Sequence, residues 1–471
     1  MTICKNASFG AIFAQSEAFL FLILMSKVLL LDFPHLLEEK FLQTDLGQLY
    51  QSIPFAELVK NIPLPPQQRT GKGCKPWFTV QGGFALMVLK HYLQVSDDML
   101  IERINTDWSM QRFCGISLKP NEVIKDKGLP SFWRIYIGKH LNIEELNIVS
   151  AKHWSPYIAH KNISSADATC YESHLSFPTP IKIVWDGCNK TYCLLQQYRK
   201  QLKRRDTRCN YDKYKKLFTE YQKTKKKSKR KEKKLLKKLL KFLLRLIHLL
   251  NEFTTKHKIV LPHKQSQLMQ HIITVYEQQH SKVYGKVAVI KDRIVSLSKP
   301  YIRPIVRGKE NKAVEFGAKV NKLQIDGISF VEHFSYNAFN EGSRLKEGIH
   351  LHRKLFGKCT HHSADKIYAT NANRTYCKQQ NIVTNFVPKG KEKQAYIEQG
   401  KAIRTALNKQ RASVLEGSFG NEKNHYYLQK VKAKNAITEL CWIFFGIFTA
   451  NASIITNRRE ALKKQAASKA A

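Results

Sequence analysis

Apolar residues recur at three- and four-residue intervals over Asp45–Leu58 and Gly82–Tyr92, a period that predicts helices with one buried face. Pro63, Pro65 and Pro66, followed by Gly71 and Gly73, separate the two as a polar, basic linker. Ser96 stands before Asp97, Asp98, Met99 and Leu100, which has the form of an N-cap with acids in the first helical turn. Up to about residue 150 the chain therefore predicts short helices, and Lys90, Arg103 and Arg112 on them suit either a DNA groove or a solvated face. The pattern changes near Asn162. Ile163–Cys170 and Ile181–Trp185 predict short strands with a turn at Pro178 and Pro180, and Val314–Leu323 and Ile328–Phe334 predict two more. Gly342–Leu355 predicts a helix, and a further short strand ends near Asp365.

Between these strands lies a segment of another kind. From Arg199 to Arg245 basic residues outnumber acidic ones by about five to one, with a run KKKSKRKEKK at 225–234. Leu236, Leu239, Leu243, Leu246 and Leu250 follow at helical spacing, so the helix carries an apolar stripe beside a basic face. Such a helix can lie on an anionic membrane, pair with another helix, or pack its leucines on the protein and turn its lysines to DNA. Because strand texture resumes after it, residues 199–290 are expected to form a helical insertion within one α/β domain.

Composition narrows the partner. The 471 residues carry a net charge of +42 with 43% hydrophobic residues, enough apolar surface for a full core and for two to four domains by length. A positive excess of this size is usually offset by a polyanion, and nucleic acid comes before an anionic membrane. The ten cysteines show no CxxC pair and suit a reducing compartment. Cys359, His361 and His362 lie close in sequence but have no partner motif that would complete a zinc site.

Two apolar stretches bear on membranes. Residues 18–32 are interrupted by Ser26, Lys27 and Asp32, and residues 437–455 by Glu439, Thr449 and Asn451. Both uninterrupted parts fall short of the ~20 residues a bilayer crossing needs, so each is expected to be a core element and no membrane partner is expected.

Three acids suggest chemistry. Glu416 opens EGSFGNEKNHYYL, and Lys423 follows seven positions later, on the same helical face two turns on. Asp167 sits in SADATCYES and Asp365 in HHSADKIYATNANRTYC. Three convergent carboxylates suit hard divalent cations and phosphoryl transfer. Each also has an ordinary reading: Asp167 as a turn residue, Asp365 as a helix cap, Glu416 as a solvated side chain. Asp186 in VWDG and Asp326 in QIDG compete as strand-end residues before a turn, with Asp326 the substitute for Asp365. Arg293, Lys299, Arg303, Arg307, Lys309 and Lys312, interleaved with Tyr301, form a basic strip suited to a phosphate backbone or to solvent.

The order of strand with Asp, hairpin, helix, strand with Asp and helix with Glu resembles bacterial insertion-sequence transposases of the DDE superfamily, with an InsH-type N-terminal domain. The resemblance is carried by SFWRIYIGKHL, DATCYESHLSFPT, VEFGAKVNKLQIDG leading to ADKIYATNANRTYC, and LEGSFGNEKNHYYLQKVKAKN. It implies an α/β RNase H-like core over 160–455, an all-helical N-terminal DNA-binding domain over 1–150, the basic helical insertion, and a basic flexible tail over 456–471. It further implies Asp167, Asp365 and Glu416 as catalytic ligands of Mg²⁺, with Mn²⁺ as a substitute. Lys423, Arg411, Lys319, Arg374, Tyr368 and Asn371 become residues expected on DNA. The implied partners are double-stranded transposon ends and target DNA, bound by a homodimer in the cytoplasm beside the nucleoid. One departure stands out. The family places Arg four positions before its Glu, whereas here position 412 is Ala and Arg411 comes one residue early, and no tyrosine stands at 408 or 409. On a regular helix that offset turns a side chain by ~100°, so Arg411 reaches the site only if the backbone before Glu416 is irregular.

Overall fold

The computed structural model describes residues 36–66, 76–205, 209–285, 287, 289–306, 313–390 and 394–470. The apolar stretch 18–32, Gly71 and Gly73 of the linker, Cys4, Cys74, and Arg307, Lys309 and Lys312 of the basic strip lie outside these residues. The chain divides into two compact units, Met1–Ala159 with Phe448–Ala471, and His160–Ile447.

Among its described residues the first unit holds helices and no strand. The period over Asp45–Leu58 becomes two short helices, Asp45–Gln51 and Phe55–Val59, because Pro54 cannot donate a helical hydrogen bond. Val80–Leu93 is a buried helix, and a Cβ on its Gly83 would stand 2.2 Å from the Trp133 ring, so only glycine lets the two helices meet there. Phe55, Phe84 and Phe113 pack edge to face at the centre. Ser96 caps Asp97–Thr106 by accepting the Met99 N–H. Lys90 is not a surface cation. It is buried, donates to the Val95 carbonyl at 2.9 Å and pairs with Asp97 at 2.5 Å. Arg112 is exposed and pairs with Glu38.

The second unit is mixed α/β. Strands β1 (Ile163–Glu172), β2 (Pro304–Val306), β3 (Val314–Ile325), β4 (Ile328–Ser335), β5 (His361–Ala364) and β6 (Val383–Thr384) form one sheet in the order β2-β3-β1-β5-β6, with β4 also paired to β3. β1 is antiparallel to β3 and parallel to β5. Asp326 and Gly327 join β3 to β4 with φ of 47° and 81°, the left-handed pair that a two-residue hairpin of this hand requires. Asp326 is thereby spent on a turn away from the cavity described below.

Ile181–Trp185 is a correction: it is the start of the helix Pro180–Gln201, not a strand. Thr179 accepts the Lys182 N–H as N-cap and Pro180 takes the first turn, where its missing N–H costs nothing. Asp186 is carried on this helix. The helical region therefore runs from Pro180 through Tyr211–Lys223 and Lys229–Lys256 to His263–Tyr284, beginning before residue 199. All five stripe leucines are buried in a core shared with Val184, Leu195 and Ile272. Lys299 leaves the expected basic strip altogether, buried and paired with Glu439 at 2.5 Å. Residues 456–470 continue the helix Ala436–Ala470 rather than forming a separate tail, because no glycine or proline stands between 447 and 470 to end it. That helix is long and apolar enough to cross a membrane, yet 78% of its most apolar window is buried within the protein.

Candidate active site

The register of the sheet brings the first two acids together. Ala166 of β1 pairs in parallel with Ala364 of β5, so Asp167, in the middle of β1, and Asp365, just past the end of β5, stand side by side. Both line a cavity of about 760 Å³. Glu416, at the start of the helix Glu416–His425, lines it too, as do Lys423, Lys319, Arg411, Glu341 and Phe419. Residues distant in sequence therefore converge on one opening.

Arg411 reaches the cavity because the backbone widens. Residues Arg411–Leu415 form a π-helical turn in which the Glu416 N–H donates to the Arg411 carbonyl, five residues back. The wide turn absorbs the residue that puts Arg411 out of step with an α-helix. Its guanidinium donates from Nη1 to Asp167 Oδ2 at 3.1 Å, and Nη2 lies 3.1 Å from Glu416 Oε1. One cation thus bridges two of the three acids.

Burial pushes the Asp167 carboxyl up to about 6, and the negative charges of Glu341 and Asp365 push the same way. The Ala168 N–H, 2.8 Å from Oδ1, and Arg411 oppose them without cancelling the rise. The donors are all carboxylate oxygens, the chemistry a hard divalent cation selects. Among the described residues, however, no group of three His, Cys, Asp or Glu side chains is gathered at metal-holding spacing. Donor type fits a cation, while Arg411 now occupies the space between Asp167 and Glu416.

The other expected contacts divide. Lys423 donates to Thr169 Oγ1 at 3.1 Å, and Lys319 pairs with Glu341 at 2.7 Å while donating to the Phe339 carbonyl. Tyr368 is fully buried and its hydroxyl donates to Asn321 at 2.6 Å, which makes it a brace for β3 rather than a group open to DNA. Asn371 is exposed outside the cavity and accepts from Lys389 at 2.6 Å. Arg374 also lies outside it, donating to the Ala369 carbonyl and resting on the Phe386 ring. Cys359 and His362 hydrogen-bond to Ser164, as befits a buried polar cluster.

Sequence reasoning missed Glu341, Lys322 and Glu422. Lys322 had little signal, since Lys319, Asn321 and Gln324 give its stretch of β3 a polar look and only the sheet buries both faces. Glu341 had none, since only the fold brings it beside Lys319.

Residues 363–451 match the family model described as the transposase DDE domain. The span includes Asp365, the π turn, Glu416 and Lys423, and excludes Asp167. No curated protein and no solved structure matches the chain. The match supports a DDE-superfamily transposase.

Proposed function

We propose that this chain, a DDE-superfamily transposase by its family match, binds the terminal inverted repeats of an insertion sequence and cuts and joins DNA strands in the Asp167–Asp365–Glu416 cavity. The observation that carries the reading is the convergence: β1, the end of β5 and the helix Glu416–His425 deliver one acid each to one opening, and the last two lie inside the matched span. The antiparallel run β4-β3-β1 followed by parallel β5 and β6 supports an RNase H-like core. The helical first unit is the candidate for end recognition, and two paired ends call for a homodimer acting on DNA in the cytoplasm, beside the nucleoid.

Asp167, Asp365 and Glu416 are the residues that would hold Mg²⁺, or Mn²⁺ in its place. A bound divalent cation supplies activation of the attacking oxygen and charge neutralisation at the phosphate. The chain's own contribution is placement. Lys423, fixed through Thr169, presents an ammonium at the cavity for a phosphate oxygen of the cleaved strand. Arg411 lies between Asp167 and Glu416 and reduces the repulsion between the two acids. Depth excludes water from Asp167 more than from Glu416, whose side chain is 50% exposed, so the two acids meet different surroundings.

The test uses Asp167→Asn, Asp365→Asn and Glu416→Gln in a plasmid carrying the element's ends. Each amide is expected to abolish Mg²⁺-dependent end cleavage and to leave gel-shift binding of the same ends intact. Full cleavage by all three variants overturns the reading. A second reading, a DNA-binding protein without catalysis, draws on the Arg411 bridge, which fills the place between two acids. It predicts retained binding and no nicked product from the wild-type chain at any Mg²⁺ or Mn²⁺ concentration.

A further inference from the structure

The helix that carries Glu416 and Lys423 has almost no apolar anchor. Of its ten residues only Glu422 is buried, and it is charged. What meets Glu422 is a second charge: Lys322 of β3, 0% exposed, whose Nζ lies 2.5 Å from Glu422 Oε1. The same ammonium donates to Ser418 Oγ at 3.0 Å and sits 4.3 Å from the Phe419 ring centroid. One lysine therefore grips three positions spanning a full turn of the helix. The other Glu422 oxygen accepts from the Tyr171 hydroxyl of β1, also fully buried. Burial and the Glu422 charge hold the Tyr171 phenol well above its usual range, which keeps it a donor.

The register ties this grip to the cavity. Lys322 pairs directly with Asp167 across β1 and β3, and Tyr171 lies two pleats further along β1. Lys423, next to Glu422, is bound to Thr169 on the same strand. A buried ion pair contributes little net stability compared with apolar side chains of equal volume, so its use here favours geometry over stability. It selects one seat for the helix, since any axial slip would leave two buried charges unpaired.

We propose that Lys322 and Tyr171 are positioning residues that, through Glu422, set the seat of the helix Glu416–His425 and so place Glu416 and Lys423 at the cavity. The proposal rests on the reading of that cavity as the cleavage site. It is tested in the full chain with Lys322→Met combined with Glu422→Met, which removes both charges while keeping volume, alongside the single variants and Tyr171→Phe. Thermal unfolding, hydrogen exchange of amides 416–425, and kcat and KM for end DNA are read for each. The expected result is a double variant that regains most of the Tm lost by either single one. Its helix amides exchange faster by about tenfold or more, and kcat falls by about tenfold at unchanged KM. Tyr171→Phe, which keeps the ion pair, is expected to show a smaller change in the same direction. Wild-type exchange and wild-type kcat in the double variant overturn the proposal, as does unchanged exchange in Tyr171→Phe should the double variant fail to fold. If the wild-type chain cleaves no end DNA, the transposase reading fails, and hydrogen exchange still decides the positioning role.

Discussion

Two helices of this chain use lysine in opposite ways. In Lys229–Lys256 the stripe leucines are buried and Lys233, Lys234, Lys238 and Lys241 stand in solvent, so packing and charge are kept on separate faces. In Glu416–His425 the charge is the packing: a buried glutamate meets a buried lysine on the sheet. Apolar packing tolerates small shifts, because a leucine stripe loses little when it slides by part of an ångström. A buried ion pair does not, because displacement leaves charges without partners. The first arrangement suits a bundle that needs only to hold together, the second a helix whose end must meet two strands at a fixed distance.

Substitutions that exchange these roles test the contrast. The largest loss of stability is expected from Lys322→Met alone, about 3–5 kcal/mol in urea unfolding, since Glu422 is left buried and unpaired. A loss near zero would mean that Glu422 finds solvent and that the charged seat is illusory. Leu243→Ala, at a fully buried stripe position against Gly187, is expected to cost about 2–5 kcal/mol by the same measurement.

A smaller effect concerns pH. Burial pushes His362 down to about 3, and its Nε2 has no hydrogen-bond partner among the described residues. Unfolded, the imidazole returns to about 6.5. Between these values the unfolded chain binds a proton that the folded chain refuses, so this group's contribution to stability is complete above about 6.5 and declines as pH falls toward 3. The urea midpoint at pH 4.5 is expected below that at pH 7.5, and His362→Asn is expected to narrow the gap. An equal gap in the variant would assign the acid sensitivity to other groups.

The smallest effect on stability belongs to the solvated lysines. Lys234→Ala and Lys238→Ala are expected to stay within about 0.5 kcal/mol of wild type. If this face binds DNA, each lowers the salt slope of binding by about one. An unchanged slope would leave the basic face as solvation alone.

Several features were legible in the chain because they are local. The leucine stripe, the Ser96 cap and the Asp326–Gly327 hairpin each depend on neighbours within a turn or two. Ile181–Trp185 misled because a short apolar run has no period of its own, and the decisive signal, Thr179 capping before Pro180, stood just upstream. Lys90, Lys299 and Tyr368 have side chains common at surfaces, and nothing beside them in sequence announces Asp97, Glu439 or Asn321 as partners. Arg411 turned on backbone geometry: its offset was visible, but whether a π turn would absorb it was not.

By itself, then, the sequence determined which segments are amphipathic, that a turn follows β3 at Asp326 and Gly327, and that three acids and an unusual excess of lysine were available. Those properties follow from the chemistry of residues a few positions apart. Tertiary structure alone decided that Asp167 and Asp365 stand side by side, that Arg411 lies between Asp167 and Glu416, and which lysines are buried. Such pairings join residues far apart in the chain, and their energies depend on distance and on exclusion from water, which only the folded arrangement sets.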